Sequence, residues 1–310
     1  MEWPSPVPVP HGTRLVASDL DGTLLLPDGS VGPRTRAALD QLRDSDLDLV
    51  IVTGRPPRWI SPIVEMTGHR GVGIAANGAV LLDLADGLVT DVFPLSADQA
   101  LDAVERVRAA LPGAVFAVER ARPGGRLAPT GGSSYGDLDA TLADATEFAL
   151  ADGYHPRWPV PPQTHVAPIE ELVGSGDVVK LLVRPGTGST IGADDFLALG
   201  AAALDGRVEA THSNPEDQLL EISAPGVSKA TTLARVAAAE GHGPLHVVAA
   251  GDAPNDLPML AWAGTSYAVA NGHPQVRQLA THVLPSNGEE GVAQLIEALL
   301  AEARSDPFGG

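Results

Sequence analysis

Asp19 and Asp21 stand two residues apart at the end of an apolar run, Leu15 to Ala17, and Gly22 follows them at once. A short buried strand would carry both acids to its carboxyl end, and Gly22 permits the backbone conformation that turns a chain out of a sheet. In open α/β sheets that edge is where ligands bind, because loops converge there and helices point their positive ends at it. Two carboxylates a few ångströms apart repel unless a cation lies between them or one holds a proton. The pair therefore points to a divalent metal or to acid/base work. Asp-x-Asp-Gly is also ordinary turn chemistry, and the pair alone does not separate the two readings.

Three more strand ends carry complementary groups. Thr53-Gly54-Arg55 closes the apolar run from Asp48, and a hydroxyl beside a flexible backbone suits donation to an oxyanion. Lys229 opens a helical stretch, where an ammonium and a positive helix end add together on a phosphate. Asp252, Asn255 and Asp256 follow the apolar run Leu245 to Ala250 and offer hard oxygen donors of the kind Mg²⁺ prefers. Lysine is scarce: of 20 basic residues only Lys180 and Lys229 are lysine. Where arginine serves elsewhere, a retained lysine suits a place that needs a compact ammonium, chance being the alternative reading.

The elements that must position these groups alternate strand and helix. The Asp19 strand, a helix over Pro33 to Leu42, the Asp48 strand, a helix over Pro56 to Met66 and a third strand from Gly71 running into a turn at Asn77-Gly78 make a βαβ series. The middle differs. Ser96 and Gln99 have capping-box spacing before a helix, Ala114 to Glu119 reads as a strand, Arg122 to Gly136 is rich in Gly, Pro and Ser, and Leu138 to Leu150 reads as a helix. A strand over Val178 to Arg184, a helix over Ala193 to Leu204 and a strand pair over Val208 to His212 and Gln218 to Ser223 follow. From Ser228 the first pattern resumes. The expected fold is α/β, a Rossmann-like doubly wound parallel sheet core with an inserted α+β cap domain. The core would be discontinuous, 12–82 and 226–305, the cap 83–225, with flexible tails at 1–11 and 306–310.

Composition narrows the function. Hydrophobic residues make up 44% and charged residues 19% of 310, enough for one large or two ordinary cores. No apolar stretch approaches the roughly 20 residues that span a bilayer, and the proline-rich start has no basic n-region, so a cytoplasmic protein is expected. Zero cysteines exclude disulfides and thiolate chemistry. A formal net charge of −19 without a basic block argues against a nucleic-acid partner. The expected partner is a small metabolite, the expected assembly a monomer or homodimer.

In order, Asp19-Leu-Asp21-Gly-Thr-Leu, Val52-Thr53-Gly54-Arg55, Val227-Ser228-Lys229 and Gly251-Asp252-Ala-Pro-Asn255-Asp256 resemble the four motifs of the haloacid dehalogenase-like hydrolases, and more closely the Cof-type, class IIB, phosphatases. Ala76-Asn77-Gly78, Leu220-Glu221-Ile222, Asn271-Gly272-His273-Pro274 and Asn287-Gly288 are further marks, so the likeness covers nearly the whole chain; Ala253-Pro254 departs from the Asn or Gly more common there. The resemblance implies a Mg²⁺-dependent phosphatase for small phosphorylated metabolites, sugar phosphates foremost, acting through an aspartyl-phosphate. It implies Asp19 as nucleophile and Asp21 as general acid and base. The side chains of Asp19 and Asp252 and the Asp21 carbonyl would hold the metal, while Thr53, Lys229, Asn255 and the amides of Leu20 and Gly54 would bind the phosphoryl group. Asp256 would stand behind them and position Lys229 or a metal-bound water.

Other features are read more plainly. Gly71-Val-Gly73-Ile-Ala-Ala76 matches a dinucleotide fingerprint but begins a strand and not a helix, so its context fails. Lys180 reads as a solvent-facing strand residue or, with Arg126 and His212, as a cap contact to substrate. A phosphosugar mutase of the phosphomannomutase kind and a non-catalytic phosphometabolite-binding protein are the competing functions; the second need not keep Asp21, and carbon–halogen hydrolysis would lack it.

Overall fold

The apolar run before Asp19 is strand β1 (Leu15–Ser18), buried throughout, in a computed structural model that describes residues 7–127, 146–174, 177–212 and 217–305. Helix α1 (Pro33–Arg43) follows, with proline in its first turn where a missing N–H costs nothing. Strand β2 (Asp48–Val52), helix α2 (Ser61–Thr67) and strand β3 (Val72–Ala75) complete two crossovers. Leu15 pairs with Asp48 and Val50 with Val72, both in parallel register. Strands of this kind are covered on both faces, which is why β1 and β2 read as continuous apolar runs and not as alternating ones.

The middle of the chain builds a different sheet. Before that sheet come the antiparallel pair β4 (Val80–Asp83) and β5 (Leu88–Val92), which is not part of it, and helix α3 (Ala97–Ala110). Ser96 and Gln99 cap α3 reciprocally, the Gln99 N–H on Ser96 Oγ at 3.2 Å and the Ser96 N–H on Gln99 Oε1 at 2.9 Å. Strands β6 (Val115–Ala121), β7 (Thr146–Leu150) and β8 (His165–Val166), helix α4 (Ile169–Gly174), strand β9 (Val178–Arg184), helix α5 (Ala193–Leu204) and strands β10 (Glu209–Thr211) and β11 (Leu220–Ser223) follow. Their order is β10-β11-β9-β6-β7-β8. Helix α4 packs on β6 and α5 on β10 and β11, so this unit is α+β.

The chain then returns through α6 (Lys229–Ala239), β12 (Val247–Gly251), α7 (Leu257–Trp262), β13 (Thr265–Val269), α8 (Pro274–Leu279), β14 (His282–Leu284) and α9 (Gly291–Ser305). With β1 to β3 these strands form the parallel order β14-β13-β12-β1-β2-β3. The doubly wound parallel sheet with a separate α+β sheet is the fold class expected from the sequence.

Contacts divide the chain into Met1–Thr53, Ile63–Ile74 and Lys229–Gly310 as one unit and Gly54–Pro62 with Ala75–Ser228 as the other. The second unit thus begins at Ala75 and not at 83, reaches Ser228 and not 225, and takes in a short segment directly after Thr53. The helix expected over 138–150 is corrected at its end: residues 146–150 are β7, paired antiparallel with β6 from Ala117–Leu150 to Ala121–Thr146. Local composition there favours a helix, and long-range ladder pairing overrides it. Residues 1–6, 128–136 of the Gly-rich stretch, 138–145 of the expected helix and 306–310 lie outside the described residues.

Candidate active site

Register places the first acids. Ser18 lies opposite Ala250 in the parallel pair of β1 and β12, so Asp19 and Asp252 leave the sheet side by side, and the Asp19 N–H donates to Ala250 O at 3.0 Å. Asp21 remains extended (φ −74, ψ 125) and Gly22 turns left-handed (φ 77) before the Leu25 N–H closes back on Leu20 O at 2.9 Å. Thr23 Oγ1 donates to Asp252 Oδ1 at 2.7 Å and fixes that carboxylate. Two asparagines brace the turn from behind: Asn271 Nδ2 donates to Gly22 O at 2.8 Å, Asn271 Oδ1 accepts the Asn287 N–H at 2.9 Å, and Asn287 Nδ2 donates to Leu25 O at 2.8 Å. Sequence reasoning assigned no role to Thr23, Asn271 or Asn287. The asparagines' place in short Asn-Gly motifs at later strand ends was the available signal.

Lys229, the first residue of α6, is buried and bridges two acids. Its Nζ donates to Asp19 Oδ1 at 2.7 Å and to Asp256 Oδ1 at 2.6 Å. Asp256 Oδ2 accepts the N–H groups of Asp252 and Ala253, each at 3.0 Å. Both oxygens of Asp256 are thereby engaged, and its task is to hold the ammonium and the loop. Asp19, Asp252 and Asp256 each bring an oxygen within 4.8 Å of the others. Three carboxylates against one ammonium make an acid-rich, dehydrated cluster. Burial pushes the Asp19 carboxyl well above the ordinary carboxylate range, with Lys229 opposing and Asp256, Asp252 and Asp21 adding to the rise. Burial and the Asp256 charge push Asp252 up to about 7 against the Thr23 hydrogen bond. Burial would lower the Lys229 ammonium, but Asp19 and Asp256 outweigh it and raise it. These are the marks of a site short of positive charge.

The donor set fits a hard divalent cation. All three acids are oxygen donors, and with Asp256 committed to Lys229 and two amides, Asp19 and Asp252 are the carboxylates left to coordinate, a number that suits Mg²⁺. Thr53 lies buried past the end of β2 with its N–H on Ile74 O at 2.8 Å, and Asn255 lies buried in the turn Pro254–Asp256. Leu20 is buried in the turn after Asp19. Gly54 starts the segment that belongs to the second unit.

The three cap candidates are otherwise engaged. Lys180 is not a solvent-facing strand residue: it is 2% exposed, and its Nζ donates to Glu221 Oε1 at 2.5 Å and to Gly54 O at 2.6 Å. Strand alternation misled here because every residue of β9 is buried. His212, just past β10, is buried as well, its Nε2 3.0 Å from Asp194 Oδ1. Arg126 Nη1 donates to Asp86 O at 2.9 Å.

Fold and site define a class: a parallel α/β sheet that gathers acidic side chains where β1 and β12 end. The haloacid dehalogenase-like hydrolase model matches residues 16–119 and 197–296, and the chain belongs to that family. The pyridoxal phosphate phosphatase YbhA of Escherichia coli is 28% identical over 291 residues, 92% of this chain and 97% of that protein. The phosphatase BT1666 of Bacteroides thetaiotaomicron superimposes with a TM-score of 0.70 at 22% identity, covering 96% of this chain and all of that one. The subclass IIB sugar phosphatase BT4131 does so with a TM-score of 0.68 at 16% identity over 93% of this chain and 99% of that one. The chain is a Cof-type phosphatase, a phosphoric monoester hydrolase. Among the described residues no helix is long and apolar enough to cross a membrane.

Proposed function

We propose that this enzyme is a Mg²⁺-dependent phosphatase that removes phosphate from small metabolites, sugar phosphates foremost, with Asp19 as nucleophile and Asp21 as general acid and base. The observation that carries the reading is the buried Lys229 bridge between Asp19 and Asp256 beside Asp252. An ammonium held there favours the anionic form of Asp19, as a bound cation would further, and faces the negative charge of an incoming phosphoryl group. Asp19 attacks phosphorus in line and the ester P–O bond breaks, while Asp21 gives its proton to the departing alkoxide. Water then attacks the aspartyl-phosphate and yields its proton to Asp21, and inorganic phosphate leaves with Asp19 restored. Thr53, Asn255 and the amides of Leu20 and Gly54 hold the phosphoryl oxygens throughout. Asp19, Asp252 and the Asp21 carbonyl would hold Mg²⁺, which would supply the positive charge that the cluster lacks. Relatives named as a pyridoxal phosphate phosphatase and a sugar phosphatase support a small phosphorylated metabolite as substrate.

The test is release of phosphate from p-nitrophenyl phosphate and a panel of phosphorylated sugars and pyridoxal phosphate, with and without Mg²⁺. Asp19→Asn is expected to abolish release and Asp21→Asn to reduce it by at least about a hundredfold. Full activity in either variant overturns the mechanism. Exchange of phosphate between positions of a sugar without net release would make the enzyme a mutase.

A further inference from the structure

Outside the Asp19 cluster, the second unit buries a row of charges that the reaction does not use. Glu119 on β6 lies opposite Lys180 on β9, and Glu221 on β11 is a diagonal neighbour of Lys180, since Leu181 pairs with Ile222. The three residues are 2%, 2% and 4% exposed. Arg58 completes the set, with Nε on Glu119 Oε2 at 3.2 Å and Nη2 on Glu119 Oε1. Two acids and two bases balance, as buried charges must, yet an ion pair placed here is no better for stability than well-packed apolar side chains. Its value lies in what else it touches.

It touches the backbone that follows Thr53. Lys180 Nζ donates to Gly54 O at 2.6 Å, the Ala76 N–H donates to Arg55 O at 2.8 Å, and Glu119 holds the Arg58 side chain. The turn supplying Ala76 is itself strained: Ala76 (φ 51) and Asn77 (φ 57) are both left-handed without being glycine. Glu221 ties this turn down through Oε2, which accepts from Asn77 Nδ2 at 3.0 Å, while its Oε1 takes Lys180. One carboxylate thus joins the strained turn to the lysine that grips Gly54, and two successive peptide carbonyls, of Gly54 and Arg55, are fixed within the same unit.

We infer that Lys180 and Glu221 are positioning residues for the phosphate-binding backbone at Thr53-Gly54, and that Lys180 does not recognise the leaving group. The inference rests on the proposed function, in which Thr53 and the Gly54 amide hold the phosphoryl oxygens. Releasing the Gly54 carbonyl lets its residue rotate, and the amide on the same residue no longer points at a fixed place.

The experiment uses the full chain with Mg²⁺ and inorganic phosphate as probe, measured as a competitive inhibitor and by calorimetry. In Lys180→Met the affinity for phosphate is expected to fall about tenfold or more, and kcat/KM to fall by the same factor on p-nitrophenyl phosphate as on a phosphorylated sugar. Lys180→Met leaves Glu221 buried and unpaired, so Lys180→Met with Glu221→Gln serves as the second variant. It is expected to regain the thermal midpoint of the parent without regaining phosphate affinity. Recovery of both in the double variant would make the pair merely structural and overturn the inference. So would a loss that is large for a sugar phosphate and absent for p-nitrophenyl phosphate, which is the signature of a leaving-group contact. A parent enzyme that binds no phosphate, or that is indifferent to Asp19→Asn, overturns the proposed function instead.

Discussion

Gly22 lies against the carboxylate of Asp252 so closely that a Cβ at position 22 would stand 2.4 Å from Asp252 Oδ2 and 2.8 Å from its Cγ. The Asp252 side chain is not free to swing aside at no cost, because Thr23 Oγ1 holds Oδ1 at 2.7 Å. Gly22→Ala therefore strikes twice. The left-handed backbone (φ 77) costs about 1 kcal/mol for a residue with a Cβ, and the methyl displaces an oxygen that the proposed metal needs. The expected outcome is a small fall in thermal midpoint together with a Mg²⁺ requirement raised by about tenfold or more. Activity titrated against Mg²⁺ checks it; an unchanged Mg²⁺ midpoint would show that the loop relaxes without moving Asp252.

Lys229 invites a sharper substitution. A guanidinium is planar and larger than an ammonium, and cannot place one atom 2.7 Å from Asp19 and 2.6 Å from Asp256 in the same buried space. Lys229→Arg keeps the charge, so the fold should persist while kcat falls by about a hundredfold. Lys229→Met removes the charge and leaves two buried acids facing one another, a change expected to cost about 3–5 kcal/mol as well as the activity. Denaturant unfolding beside steady-state kinetics separates the two. A wild-type rate in the arginine variant would mean that the scarcity of lysine in this chain carries no information.

That scarcity pointed two ways, and it shows what a sequence holds. Lys229 was legible because it opens a helix in a chain of four strand ends whose acids, hydroxyl and glycines are all explicable by one ligand. Local patterning sufficed, since parallel strands buried on both faces announce themselves as apolar runs. Lys180 was not legible. Its partners, Glu221 and the Gly54 carbonyl, are 41 and 126 residues away, and a lysine inside the run Val178–Arg184 reads as a solvent face until the whole of β9 is seen to be covered. Strand β7 was hidden for a related reason: β6 reads as a strand by itself, but nothing local to 146–150 shows that this stretch pairs with it. Thr23, Asn271 and Asn287 support the loop through backbone carbonyls and a carboxylate, and a hydrogen bond to a carbonyl leaves no trace in residue type.

The acid cluster makes a prediction for metal removal. With Asp19, Asp252 and Asp256 drawn within 4.8 Å around a single ammonium, the cation-free enzyme holds more negative charge than its surroundings solvate. Chelation should lower the thermal midpoint, and saturating Mg²⁺ should raise it by the linkage of binding to folding, about 2.7 kcal/mol at a hundredfold excess over Kd. In Asp252→Asn the repulsion is reduced and a ligand is lost, so the cation-free midpoint should rise and the response to Mg²⁺ should vanish. A variant that responds to Mg²⁺ as the parent does would remove Asp252 from the metal site.

His69 offers a pH test far from the chemistry. It sits between α2 and β3 with its N–H on Thr67 Oγ1 at 3.2 Å, and burial, aided by the Arg43 charge, holds its imidazole below the ordinary value of 6.5 against the backbone of Val72 and Leu49. The folded state thus keeps the ring neutral where the unfolded chain would already protonate it. More protons bound by the unfolded chain means stability that rises with pH, so the contribution is complete above 6.5 and is lost as pH falls from there through the depressed folded-state value. The thermal midpoint of the parent should drop between about pH 7 and pH 5, and His69→Gln should drop by less, because glutamine cannot take up the proton. Other groups that titrate across this range, Asp252 at about 7 among them, affect both proteins alike, which makes the difference between the two curves the quantity to read. Parallel curves would mean that the buried ring protonates without cost and that the acid sensitivity arises elsewhere.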